Sequence, residues 1–276
     1  MIGLGNSSER SSTGASRTLS NMILDTFSLA DRVGIVTGGG AGLGLGYVQA
    51  LAEAGARIVI AEINPETAEA AAESFRAAGH ECVAVPTDVC RKESVEAMVA
   101  ATLARFGQIN FIVNNAGAWR FGPAEEVTPE SWQAMIDLNL TGLFWCCQAV
   151  ARPMIERHRG SIINIASISG QLINWPHFGW LEPSYFAAKA GVIHLTRSLA
   201  AQWGPKGIRT NAIAPGYMTK DGLCESALKA PYVASIPLGR PGLPADLGAA
   251  AVFLASDASS YVNGHTLNVD GGCTVW

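Results

Sequence analysis

"VGIVTGGGAGLGLGYVQALAEAG", residues 33–55, reads as a buried strand, a glycine turn and a helix in unbroken succession. The β-branched run at 33–38 has the composition of a strand covered on both faces. The Ala/Leu-rich run from Leu45 ends at Gly55, where a helix would close. Gly38, Gly42 and Gly44 fall at the junction between the two. Glycines there permit a tight turn and let a pyrophosphate approach the backbone, where the helix's unpaired N–H groups and positive dipole end can hold it. A merely flexible turn would carry no such strand before it or helix after it.

The same alternation continues along the chain. Strands are expected at 57–62, 82–88, 109–117, 161–167, 208–216 and 265–272, with helices at 64–79, 91–106, 129–157, 184–203 and after Pro244. In the 64–79 stretch Asn64 can cap, Pro65 takes the first helical position and Gly79 closes the end. Seven strands alternating with helices predict right-handed βαβ crossovers and one parallel sheet covered on both faces, the α/β class. The Ser/Gly-rich residues 1–25 are expected to be a disordered extension, and 26–276 a single domain without linker or repeat.

Bulk properties narrow the function classes. The chain has 276 residues, 49% hydrophobic and 15% charged, enough for a large core. Its net charge is −4 and no Lys/Arg run exceeds two residues, which argues against nucleic acid or an anionic membrane surface as partner. No uninterrupted apolar run approaches the roughly 18 residues of a membrane-crossing helix. Six cysteines show no paired spacing, so reduced thiols in a cytoplasmic protein are expected and no metal site.

Two further features point to chemistry. Glu62 ends the second expected strand, 20 residues after Gly42, where an acid can accept hydrogen bonds from both ribose hydroxyls of an adenosine. Its charge would repel a 2′-phosphate, and neither 39–41 nor 63–64 supplies a basic residue, so NAD is expected over NADP. "SYFAAKAG" (184–191) places Tyr185 and Lys189 four apart, on one helix face. An ammonium beside a phenol favours the phenolate, which would make Tyr185 a workable acid/base.

The ordered motifs "TGGGAGLG" (37–44), "DV" (88–89), "NNAG" (114–117), "DLNLTG" (137–142), "INIASISG" (163–170), "YFAAK" (185–189), "APG" (214–216) and "NVDGG" (268–272) resemble the short-chain dehydrogenase/reductase family over about 26–276. The resemblance implies a Rossmann-type doubly wound seven-stranded sheet and an NAD(P)-dependent alcohol/carbonyl oxidoreductase. It implies cofactor contacts from Gly38, Gly42, Leu43, Gly44, Glu62, Asp88, Val89, Asn115, Gly117, Tyr185, Lys189, Pro215, Gly216 and Met218. Asp88 could also cap the helix that follows, and Asn114 would brace the central strands. Ser167 would hold the reacting oxygen, with Ser169 as the competing serine, while Asn139 would organise a water relay to Lys189. Two departures stand out: Lys220 occupies the usual threonine position with Thr219 just before it, and the 18 residues from Ser167 to Tyr185 exceed what is common.

That longer segment carries Asn174, Trp175, His177, Phe178, Trp180 and Glu182, and with "VDGGCTVW" at the C-terminus it resembles members acting on polyols, sugars or sugar acids. Aromatic rings could stack on sugar faces while Asn174, His177 and Glu182 read hydroxyls. Trp119 and Arg120 could border the pocket, Arg120 favouring a carboxylate. A lid or subunit contact is the other reading of these aromatics. Within the class, a 3-oxoacyl-thioester reductase and a hydroxysteroid dehydrogenase remain open, and outside it a non-catalytic NAD-binding regulator. The apolar stretches within 129–157 and 184–203 suit the tetramer interface that the resemblance implies.

Overall fold

In the computed structural model, which describes residues 22–173, 182–219 and 233–275, seven parallel strands form one sheet in the order β3-β2-β1-β4-β5-β6-β7. The strands are β1 (Val33–Thr37), β2 (Arg57–Glu62), β3 (Cys82–Pro86), β4 (Phe111–Asn114), β5 (Gly160–Ile165), β6 (Ile208–Pro215) and β7 (Thr266–Val269). The helices are α1 (Gly42–Glu53), α2 (Pro65–Ala77), α3 (Lys92–Phe106), α4 (Pro129–Ile136), α5 (Gly142–Glu156), α6 (Pro183–Trp203) and α7 (Pro244–Ala255). Every strand and helix expected from the sequence is present, with shifted ends. A 3-10 turn at Ile23–Phe27 packs Phe27 6.2 Å from the Phe253 ring, so the expected boundary at residue 25 falls inside a turn.

Period-two alternation divides the strand side chains between two cores. Ile35, Val59, Ile112 and Ile162 face α3, α5 and α6 through Met98, Val150, Met154 and Val192. Val36, Ile58, Ile60, Val113 and Ile163 face α1, α2 and α7 through Tyr47, Leu51, Phe75, Leu247 and Leu254. Burial on both faces explains why the strands read as near-continuous apolar runs. The α2 start is built as expected, with Asn64 Oδ1 accepting from Glu66 N at 2.9 Å and Thr67 N at 3.1 Å.

One expected element is divided. Residues 129–156 are helical throughout, but Asp137–Thr141 form a π-turn between α4 and α5. This stretch is long and apolar enough to cross a membrane by length and composition, yet half of it is buried within the fold. A core helix accounts for both facts.

Because chain direction across the sheet reverses at β1, the C-terminal ends of β1 and β4 diverge and open a cleft between them. Asn114 braces this point. Its Nδ2 donates to Asn164 Oδ1 at 2.9 Å and to Cys147 Sγ at 3.2 Å, and Asn164 Nδ2 donates to Thr196 Oγ1 at 3.0 Å. Asn114→Ala leaves the buried Asn164 Oδ1 with only the weak Cys147 Sγ–H donor, at 3.3 Å, so urea unfolding followed by circular dichroism is expected to show a loss of about 1–3 kcal/mol. A loss below roughly 0.5 kcal/mol, the range of ordinary surface substitutions, would show that the network contributes nothing.

Candidate active site

The cleft is a cavity of about 910 Å³ that runs from the end of β2, past the glycine turn, to the first turns of α6. That is near the upper end of small-molecule sites. At its centre the α1 N-terminus has no side-chain cap, and Gly38, Ala41, Gly42, Leu43 and Gly44 line the wall. Gly42 has φ 55°, with no atom within 4 Å of where a Cβ would stand, an open cradle in front of uncapped N–H groups. A Cβ on Gly44 would overlap the Gly38 carbonyl, so helix and strand meet more closely than any other residue permits. A dinucleotide's pyrophosphate fits here.

Asn115 fixes the turn to β4. Its Nδ2 donates to Thr37 O at 3.0 Å and Gly38 O at 3.1 Å, while Thr37 Oγ1 accepts from Asn115 N and Ala116 N, each at 3.0 Å. Asn115 lines the cavity as expected and also holds the backbone that forms it.

Glu62, Asp88 and Val89 line the end beyond the turn. Glu62 Oε1 accepts from Ile63 N at 2.9 Å. Asp88 does not cap α3, whose N-cap is Arg91 without a side-chain bond. Its Oδ1 accepts instead from Cys90 N at 2.9 Å and tightens the turn beside the cavity. Among the described residues, Lys189 is the single cation on the cavity wall, far along from these two acids.

Ser167, at the end of β5, and Tyr185 and Lys189, on α6, converge at the other end. The Ser167 hydroxyl lies beside the Tyr185 phenol on the cavity wall and favours its ionised form. Lys189 Nζ donates to Ile165 O at 2.9 Å and stands 5.7 Å from the Tyr185 ring centre. Burial pushes the Tyr185 hydroxyl above its ordinary value, and the nearby Ser167 hydroxyl opposes it only in part. Among the chain's own residues, desolvation of a phenolate outweighs the other influences. Desolvation likewise brings Lys189 down to about 8.

Asn139 sits within the π-turn, 1% exposed, its Nδ2 donating to Ala118 O at 3.0 Å and Met135 O at 3.1 Å. Its Oδ1 has no partner. A Cβ on Gly117 would lie 2.8 Å from that oxygen and 3.6 Å from Lys189 Nζ, so the glycine keeps open a small polar gap between them. A water-sized acceptor–donor bridge fits that gap.

Pro215, Gly216 and Met218 line the cavity, as do Ser169 and the half-exposed Trp119. Arg120 does not: its Nη1 turns to Ser131 Oγ at 3.1 Å, which corrects its expected place on the pocket wall. Thr219 also lies off the wall, its Oγ1 donating to Gly242 O at 3.3 Å. Trp175, His177 and Trp180, with Asn174, Phe178 and Lys220, lie outside the described residues. Phe121 and Tyr217 line the cavity without having been read from the sequence, and Ile168, inside the 163–170 motif, lines it without having been singled out.

Comparison with known proteins follows this geometry. A family model described as "Enoyl-(Acyl carrier protein) reductase" matches residues 38–274. The chain is 40% identical over 248 residues to 3-oxoacyl-(acyl-carrier-protein) reductase FabG of Chlamydia muridarum, covering 88% of this chain and 98% of that one. It is 40% identical over 256 residues to galactitol 2-dehydrogenase of Rhizobium johnstonii, covering 91% and 98%. A solved gluconate 5-dehydrogenase from Burkholderia cenocepacia, in complex with NADP and tartrate, superposes with a TM-score of 0.85 at 40% identity, over 92% of this chain and all of that one.

The lowered Lys189 has a consequence for stability. Folding penalises its charged form fully below pH 8, and the penalty fades between about 8 and the ordinary 10.5 as the folded amine loses its proton first. The melting temperature of Lys189→Met relative to the parent is therefore expected to be highest near pH 7 and to fall as pH rises from 8 to 10. A flat difference across that range would refute the burial argument.

Proposed function

The chain belongs to the short-chain dehydrogenase/reductase family of oxidoreductases, and we propose that it interconverts a secondary alcohol and a ketone, using NAD, on a polyol, sugar or sugar acid. The observation that carries this reading is that Ser167, Tyr185, Lys189 and Asn139 meet in the same cavity as the uncapped glycine turn. A nicotinamide cofactor, held by the glycine turn and Glu62, would supply or take the hydride and, when oxidised, would bring a positive charge to the site. Ser167 Oγ orients the substrate oxygen and stabilises charge on it. Tyr185, held protonated by burial, is poised to donate its proton to a carbonyl oxygen in the reducing direction. In the oxidising direction it accepts that proton, and Lys189 with the Asn139 gap offers a path onward to solvent.

Glu62 supports NAD. Its second carboxylate oxygen makes no bond to the neighbouring N–H groups, and no cation among the described residues stands on the wall beside it to hold a 2′-phosphate. Likeness to galactitol and gluconate dehydrogenases supports the sugar-type substrate. Equal likeness to a 3-oxoacyl reductase makes a 3-oxoacyl thioester the second reading. We further propose a cytoplasmic homotetramer assembled through α4, α5 and α6, consistent with the free state of all five described cysteines.

An absorbance assay of nicotinamide reduction across polyols, aldonates, hydroxyacyl esters and hydroxysteroids decides the substrate. Turnover confined to hydroxyacyl esters would replace the sugar reading. Tyr185→Phe is expected to lower kcat by at least about two orders of magnitude while NADH still binds, and near-normal turnover would remove Tyr185 from its role. Glu62→Ser with Ile63→Arg is expected to shift preference from NAD toward NADP, seen in the ratio of kcat/KM values. An unchanged ratio would sink the assignment of Glu62.

A further inference from the structure

Glu182 is a carboxylate that this chemistry does not use, and it is only 7% exposed. The Ser131 hydroxyl lies 3.0 Å from its Oε1 and 2.9 Å from its Oε2, sharing one proton between them, and Ser184 Oγ donates to Oε2 at 3.3 Å. Arg120 Nη1 donates in turn to Ser131 Oγ at 3.1 Å. The main chain adds two links: Glu182 N donates to Arg120 O, and Tyr185 N donates to Glu182 O, both at 3.0 Å. Ser131 lies in the first turn of α4, where Thr128 Oγ1 accepts its N–H at 3.2 Å. The carboxylate thus sits between the N-terminal turns of α4 and α6, whose dipoles and hydroxyl donors offset the cost of burying an anion.

The elements it joins are the two sides of the substrate end. Residues 118–122 carry Trp119 and Phe121 on the cavity wall, and a Cβ on Gly122 would stand 3.5 Å from Glu182 Cγ. The other side is the first turn of α6, which carries Tyr185. Glu182 is turned to Ser131 and Ser184 and is absent from the cavity wall, so it does not read substrate hydroxyls as its position in the sequence suggested. We propose that Glu182 is a positioning residue that clamps the aromatic rim at Trp119 and Phe121 to the helix bearing Tyr185, and thereby sets substrate affinity; this rests on the dehydrogenase reading of the site.

The test compares the full-length parent with E182A, E182Q and S131A, using galactitol and NAD as probes and NADH fluorescence for cofactor affinity. In E182A and S131A the galactitol KM is expected to rise at least about fivefold, while kcat stays within about threefold and NADH affinity within about twofold. Glutamine keeps the shape and one acceptor, so E182Q is expected to recover most of the loss. An unchanged KM, a loss confined to kcat, or an E182Q as impaired as E182A would overturn the clamp. A parent inactive on galactitol counts against the polyol reading alone, and amide hydrogen exchange then decides the clamp. Faster exchange at both 118–122 and 183–186 in E182A and S131A, with E182Q between them and the parent, supports it; unchanged exchange overturns it.

Discussion

The side-chain amide of Asn115 holds the molecule's two functional halves together. Its two donor bonds to Thr37 O and Gly38 O tie the end of β4 to the start of the glycine turn, where the sheet reverses direction. On one side of that tie lies the uncapped α1 N-terminus; on the other the chain runs through Gly117, beside Asn139 and Lys189. A Cβ on Gly38 or on Gly44 would press on the same amide, so neither position could carry a larger residue without disturbing it. The uncapped helix start and the corner at Gly117, Asn139 and Lys189 are therefore tied through one contact rather than by two independent ones.

Charge along the cavity is arranged asymmetrically. Glu62 and Asp88 stand at one end and Lys189 at the other, with backbone N–H groups between. An adenosine ribose, a pyrophosphate and a nicotinamide ribose would meet an acid, a dipole and an ammonium in that order. The chemistry end is also the drier one. Burial raises the tyrosine and lowers the lysine, so each is pushed toward its neutral form. Such a site is costly to fold and easily tipped by one nearby charge.

Much of this was legible in the sequence because it rests on local order. Strand runs, helix caps such as Asn64, and the glycine turn announce themselves through short-range geometry, and the seven strands follow from them. Ser167, Tyr185, Lys189 and Asn139 were readable because their motifs have fixed spacing. The π-turn was not, since apolar periodicity looks the same whether five residues wind tightly or loosely. Arg120 misled because its direction depends on Ser131, eleven residues on. The balance at Tyr185 was hidden for a related reason: spacing shows that a lysine is near, but not how much water has been removed.

The π-turn also acts as a rotational setting. Each residue advances an α-helix by about 100°, so the extra residue held at Asp137–Thr141 turns everything beyond it relative to α4. Asn139 points its amide back to Ala118 and Met135, while α5 presents Cys147 to Asn114 and Met154 to the core. Removing one residue here would dial both faces away together. The length of this segment is thus constrained at a single-residue level, and a change that looks neutral by composition would displace the Asn139 amide and the sheet brace in one stroke.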